Sequence, residues 1–360
     1  MFVADLHNDL VQRIMIGEDL SISTDRGHSD IPRLKESPID LEILIIWVSN
    51  KTLEFKHFEK ANKMFDKLLA LGLVEDVIIP KNLSEILESY KQNKLSIPIS
   101  MEGGEALENK IDNLYHFIDR GLLYFGPTWN HSLDWVSSAY DETTNKSQLK
   151  TIGLNKFGIQ VLKTCEENKV LIDVSHIGEK SFWDIDQNSS KPYIASHSSA
   201  YKICPHYRNL KDNQLLAIKN KKGMIGINPY PFFIDSNFEK REKKIRNEFS
   251  KDLEEINNKF EDKYEKWINK QHFLQKKLSK VSSSIDIFID HIDYVVKLVG
   301  IDYVGIGSDY DGLDCLPKGW NDCKDHNVIV EKLDSRGYKN QEIEKVMGKN
   351  FLRVLEEINY

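Results

Sequence analysis

Eight short runs of apolar and β-branched residues punctuate this 360-residue chain, separated by longer stretches of helical periodicity. They cover residues 2–6, 42–48, 97–101, 122–125, 170–174, 193–196, 224–228 and 303–307. Most are continuous rather than alternating, as strands covered on both faces must be. Strands that alternate with helices build parallel sheets through βαβ crossovers. Eight of them predict a closed (β/α)8 TIM barrel, an α/β fold, although an open doubly wound sheet sends the same local signals. One crossover helix is legible residue by residue. Ser284 caps it, Ile285, Phe288, Ile289, Ile292, Val296 and Val299 form its apolar face, and Gly300 ends it before the last strand. With 40% hydrophobic residues the chain can fill a full barrel core, so a single catalytic domain over residues 1–360 is expected.

One segment departs from the βα rhythm. From 236 to 280 the chain turns to dense Lys and Glu without Gly or Pro, while Ile245, Phe249, Leu253, Ile256, Phe260 and Trp267 recur at helical spacings. This predicts a charged amphipathic helix or helical hairpin inserted after the seventh strand. A solvated helix on the barrel rim is the simplest reading; a homodimer contact or a lid over a site are the alternatives. The formal net charge of −7 and pI near 5.9 exclude a general affinity for nucleic acid, which needs a basic surface. No basic leader with an apolar run opens the sequence, and no run of about 18 apolar residues occurs, so a cytoplasmic protein without a membrane anchor is expected. Cys165, Cys204, Cys315 and Cys323 form no C-x-x-C pair, which predicts neither a disulfide framework nor a thiolate metal site.

Metal ligands, if present, lie elsewhere, and the strand ends supply them. His7 and Asp9 stand two apart at the end of the first strand, where extended geometry projects both to one side. Glu102 follows the third strand, His176 the fifth, His197 the sixth and Asp309 the eighth. Taken singly, each has a bland reading: a helix cap, a satisfied core histidine, a turn anchor. Jointly they fall at the carboxyl end of the barrel, where such enzymes build their sites. Three imidazoles and three carboxylates exceed one tetrahedral ion but suit a pair about 3.5–4 Å apart. Glu102 is the candidate bridge, with Gly103 and Gly104 allowing a tight turn beside it.

The segments DLHNDL, SMEGG, DVSH, SHSSAY, RNLKD, GMIGIN, GSDYDG and GKNFLRVL occur in an order that resembles the membrane (renal) dipeptidase family of the metal-dependent amidohydrolases. The match runs from residue 2 to about 354, with 236–280 outside it. The resemblance implies two Zn2+ per chain: one on His7, Asp9 and Asp309, the other on His176 and His197, with Glu102 bridging. It implies that Arg208 holds the C-terminal carboxylate of a dipeptide substrate, as a guanidinium fork suits. It also implies hydrolysis by a bridging water acidified towards hydroxide, with Asp309 as proton carrier and Asp311 as the less favoured alternative. Where many relatives have a histidine after the fourth strand this chain has Trp129, leaving Asn130, or His131, to stabilise the oxyanion. Trp129 and Asn228 join Arg208 as substrate-binding candidates. Since the contacts named grip the ends and amide of a peptide, broad tolerance for side chains is expected. The rivals are cleavage of another amide, such as an N-acyl amino acid or lactam, or a non-catalytic barrel that binds a partner through its charged insertion. The family's membrane attachment is not carried over.

Overall fold

The computed structural model describes residues 1–48 and 56–360. Eight parallel strands form the frame: β1 (Ala4–Asn8), β2 (Leu41–Trp47), β3 (Ile99–Glu102), β4 (Leu122–Gly126), β5 (Leu171–Ile172), β6 (Ile194–Ala195), β7 (Met224–Ile227) and β8 (Val304–Ile306). β1 to β5 pair in chain order, as do β6 to β8. Two isolated parallel bridges join the arcs: Asp173 with Ile194 and Asn8 with Tyr310. The ring therefore closes, and the open-sheet alternative is set aside. The expected third strand, 97–101, is interrupted: Leu95–Ser96 and Ile99–Glu102 flank Pro98, which has no N–H to give a ladder. Leu95–Ser96 pairs instead with the short strand Val77–Ile78 and the start of β2.

The continuous apolar runs are explained by what lies on each side of them. Along β2, Ile43 and Ile45 join a cluster with Ala4, Leu6, Leu123, Tyr124, Leu171 and Met224, while Leu44 and Ile46 join the larger core that includes the surrounding helices. The first cluster also takes Phe351, Val354, Leu355 and Ile358 from the helix Asn350–Ile358. Apolar contacts thus fill the part of the barrel away from the strands' carboxyl ends. Above them the wall is drawn tight. A Cβ at Gly226 would lie 2.0 Å from the Ser196 carbonyl oxygen, and one at Gly307 1.9 Å from the same atom.

The crossover helix spans Ile285–Val299, with the Ser284 hydroxyl accepting from the Asp286 N–H and Gly300 at φ 97° ending it. Val295 and Val299 are fully buried in it, and Val296 packs half-buried against the core. The charged segment forms three helices rather than one or two: Phe238–Glu248, Ser250–Lys259 and Lys263–Leu278. The third starts where the Asp262 carboxylate accepts from the N–H groups of Tyr264 and Glu265. These helices pack on the carboxyl-end loops: Arg26 donates to His272 and Asn269, and Arg246 pairs with Asp314. All four cysteines are free and buried. No helix among the described residues is long and apolar enough to cross a membrane.

Gly226→Ala is expected to destabilise the fold by about 1–3 kcal/mol, because an added methyl meets backbone rather than a movable side chain. A denaturant-unfolding midpoint unchanged from wild type would refute this account of the barrel wall.

Candidate metal centre

Five strand ends deliver one or two polar groups each to a single buried point. His7, Asp9, Glu102, His176, His197 and Asp309 are all buried. His7 lies within β1 and Asp9 just beyond it, two residues on and on the same side. Glu102 ends β3. His176 and Asp309 adopt left-handed backbone, φ 64° and 58°, which non-glycine residues seldom do. Such backbone concentrates where a site needs it. Gly103 is left-handed too, at φ 89°, and a Cβ on Gly104 would strike Trp135 at 2.5 Å, so the turn after Glu102 needs both glycines.

Hydrogen bonds decide which nitrogen of each imidazole is free. The Tyr124 hydroxyl donates to the Leu6 carbonyl (2.9 Å), so towards His7 Nδ1, 2.8 Å away, it acts as acceptor. Ser196 Oγ donates to the Asp173 carboxylate (2.6 Å) and accepts from His197 Nδ1 (2.6 Å). His176 Nδ1 donates to Asn130 Oδ1 (3.1 Å). In its neutral form each of the three rings therefore carries its proton on Nδ1 and turns a bare Nε2 inward. Those lone pairs meet other lone pairs. Nε2 of His176 and of His197 are 3.1 Å apart, and Glu102 Oε1 lies 3.1 Å from the former, 3.4 Å from the latter and 3.9 Å from His7 Nε2. Asp9 Oδ2 is 3.7 Å from His7 Nε2. Neither His7 Nε2 nor Glu102 Oε1 has a hydrogen-bond partner among the described residues.

Buried acceptors facing acceptors repel unless a cation lies between them. Two sets have ligand atoms mutually within 4.8 Å and match a pair of ions: His7, Asp9 and Asp309, and Glu102, His176 and His197. Glu102 reaches towards both. A third set, His7, Asp173 and His197, shares its histidines with the others. Asp173 is better understood as the outer partner of Ser196 and of the Ser175 and Ser196 N–H groups. The N/O donor chemistry fits zinc and several other divalent ions.

Without a metal the charges redistribute. Burial would lower the His7 pKa, but the nearby carboxylates of Asp9, Glu102 and Asp309 push it up to about 9. Burial holds His176 and His197 well below the usual imidazole range and Glu102 well above the usual carboxylate range. Burial also raises Asp309 to about 6.

The other candidates surround this point. Arg208 is buried, with Nη2 donating to the His197 carbonyl (3.1 Å), Nη1 to Ser198 Oγ (3.4 Å), and Nε unpartnered. Asn228 donates to Asp309 Oδ2 (3.0 Å) and accepts from the Tyr230 N–H, so its amide orients Asp309. Trp129 is half-buried, its ring 6.3 Å from that of His176 and 5.9 Å from that of His131. Asn130 spends its carbonyl oxygen on His176, leaving its amide N–H groups as donors. Asp311 is engaged elsewhere, accepting from Arg13, the His28 N–H and the Ser29 hydroxyl. Sequence reading passed over the outer hydrogen-bond partners Tyr124, Ser196 and Asp173. Their signal was period-two spacing in LIDVSH and adjacency in SHSS, which shows a role only once the ligands are known.

Comparison with known proteins gives three findings. The family model described as Membrane dipeptidase (Peptidase family M19) matches residues 1–360. The solved dipeptidase AC, a metallo peptidase, superposes with a TM-score of 0.80 at 23% identity over 100% of this chain and 99% of its own. A metallo peptidase from Rhodobacter sphaeroides, liganded with a phosphinate mimic of the dipeptide L-Ala-D-Ala, superposes with a TM-score of 0.79 at 22% identity over 100% and 99%. At these identities the likeness to the solved structures establishes the barrel fold.

Tyr124→Phe removes the acceptor that sets the His7 tautomer, and metal affinity should fall about 10–100-fold in competition with a chromogenic chelator. Metal must also displace the proton that His7 holds below about pH 9. Titrating metal into the metal-free protein near pH 7.5 should therefore release protons, and affinity should rise with pH towards 9. Calorimetry in buffers of different ionisation enthalpy checks this; a buffer-independent heat would contradict it.

Proposed function

The chain belongs to the membrane dipeptidase family, a hydrolase class of metal-dependent dipeptidases, and from that premise we propose a two-zinc dipeptidase that holds its substrate's C-terminal carboxylate on Arg208. The observation that carries the proposal is the convergence of three inward-facing Nε2 atoms on the unpartnered Oε1 of Glu102. Six donors from five strand ends suit two ions better than one. Divalent ions in this cradle would acidify a water and polarise a peptide carbonyl.

The chain's own residues do the rest. No carboxylate among the described residues lies within ion-pair distance of Arg208, although burial already lowers its pKa. An uncompensated buried guanidinium is costly, and a substrate carboxylate is the anion that would relieve it. One carboxylate anchor beside the metal centre limits the enzyme to very short peptides. The phosphinate dipeptide mimic held by the Rhodobacter sphaeroides structure supports an occupant of that size. Asp309, steadied by Asn228, accepts the water's proton and returns it to the leaving amine. The amide of Asn130, its oxygen held by His176, keeps its N–H groups for charge developing on the carbonyl oxygen. Asn228 acts through Asp309 rather than by touching substrate.

Elemental analysis should find two zinc per chain, and a dipeptide panel should be hydrolysed by wild type but not measurably by Glu102→Gln. Arg208→Met should lower kcat/KM by roughly 100-fold or more, mostly through KM, since truncating one side of a buried charge pair costs about 2–5 kcal/mol. Arg208→Lys should recover part of it. Metal binding with cleavage of N-acyl amino acids or lactams and no dipeptide would favour the rival amidohydrolase reading instead.

A further inference from the structure

Four aromatic side chains from three parts of the chain meet at the barrel mouth. Trp47 ends β2, and in the parallel ladder it is the register partner of Glu102. Parallel neighbours in register project to the same side, so Trp47 stands beside the carboxylate at the centre of the metal site. Its ring lies 4.5 Å from that of Trp129, 6.0 Å from that of Tyr264 and 6.3 Å from that of Trp267. Trp129 in turn is 6.3 Å from the His176 ring, so the aromatic wall runs to a metal-site imidazole. Tyr264 and Trp267 belong to the third helix of the charged insertion. Trp267 is 36% exposed, and Trp47, Trp129 and Tyr264 are half-buried. The buried indole N–H of Trp47 has no hydrogen-bond partner among the described residues.

Position around the ring assigns this wall to one end of the substrate. Arg208 follows β6, touches the His197 carbonyl and stacks 5.3 Å from Phe233 beyond β7. Trp47 stands at β2, opposite β6 in an eight-strand ring, and Trp129 follows β4, between the two. A dipeptide with its carboxylate on Arg208 and its amide over the metal site must lay its N-terminal residue against the aromatic side. Partly exposed aromatic rings beside a polar centre are the usual lining of a ligand pocket. The Lys60 ammonium, 3.4 Å from the Tyr264 ring centroid, already occupies one aromatic face.

Resting on the dipeptidase reading, we propose that Trp47, Trp129, Tyr264 and Trp267 form the pocket for the substrate's first side chain, that the 236–280 insertion supplies half of it, and that the enzyme selects dipeptides with an aromatic or large aliphatic N-terminal residue. The broad side-chain tolerance expected from the sequence is thereby narrowed at one end of the substrate. The insertion acts as a specificity wall.

The test is kcat/KM for Phe-Gly, Leu-Gly, Gly-Gly and Gly-Phe on the zinc-loaded wild type, Trp267→Ala and Trp267→Phe. Wild type should prefer Phe-Gly and Leu-Gly over both Gly-Gly and Gly-Phe by about 10-fold or more, the scale of burying a large apolar side chain. Trp267→Ala should reduce the Phe-Gly to Gly-Gly ratio by several-fold, and Trp267→Phe should keep most of it. A wild type without that preference, or a Trp267→Ala variant that slows Phe-Gly and Gly-Gly equally, overturns the pocket while leaving the dipeptidase reading intact. If Trp267→Ala does not fold, the ratio in Tyr264→Ala decides, with an unchanged ratio counting against the pocket. Hydrolysis of no dipeptide would overturn both.

Discussion

The structure depends on a repulsion that it does not relieve with protein groups alone. Three imidazole Nε2 atoms and the carboxylates of Glu102, Asp9 and Asp309 converge on one buried point. Each ring is held there from behind, by Tyr124, Asn130 or Ser196, through a bond that leaves the inward nitrogen bare. Acceptors facing acceptors in a dry interior are unfavourable until a cation joins them. Much of the surrounding construction serves to keep them in place: left-handed backbone at His176 and Asp309, and a glycine at position 312, where a Cβ would strike carboxylate oxygens of both Asp309 and Asp9.

The barrel makes that concentration of polar groups affordable by dividing its interior along the axis. Side chains such as Ala4, Leu6, Ile43 and Ile45, with the terminal helix Asn350–Ile358, form an apolar cluster away from the site. The strand ends are then free to be polar. Where the ring is tightest, glycines at 226 and 307 let strands approach the Ser196 backbone, and Ser196 is the residue that orients His197. Wall packing and ligand orientation meet in one residue.

The charged insertion joins two roles that its composition keeps apart. Its Lys- and Glu-rich surface is what a solvated helix looks like, yet it is fastened to the carboxyl-end loops through Arg26, Asp314 and Trp47. A segment lying outside the family motifs thus stands over the part of the barrel where substrate side chains would be read.

The sequence alone determined the number and order of the strands, the closing helix pattern, and the six donors at five strand ends, because periodicity and end position are local properties of the chain. It carried the family resemblance for the same reason: the motifs are short and contiguous. What it left undecided depends on distance across the barrel. Closure needed two bridges between residues far apart in the chain, Asn8 with Tyr310 and Asp173 with Ile194. Tautomers needed Tyr124 to reach His7 from more than a hundred residues away. The split of the third strand at Pro98 and the start of the third insertion helix at Asp262 have local causes, a missing N–H and a side-chain cap, that the apolar periodicity overrode in the sequence reading. The aromatic wall, drawn from β2, the loop after β4 and the insertion, was visible only as scattered tryptophans and a tyrosine, since nothing local marks rings that meet only when the barrel closes.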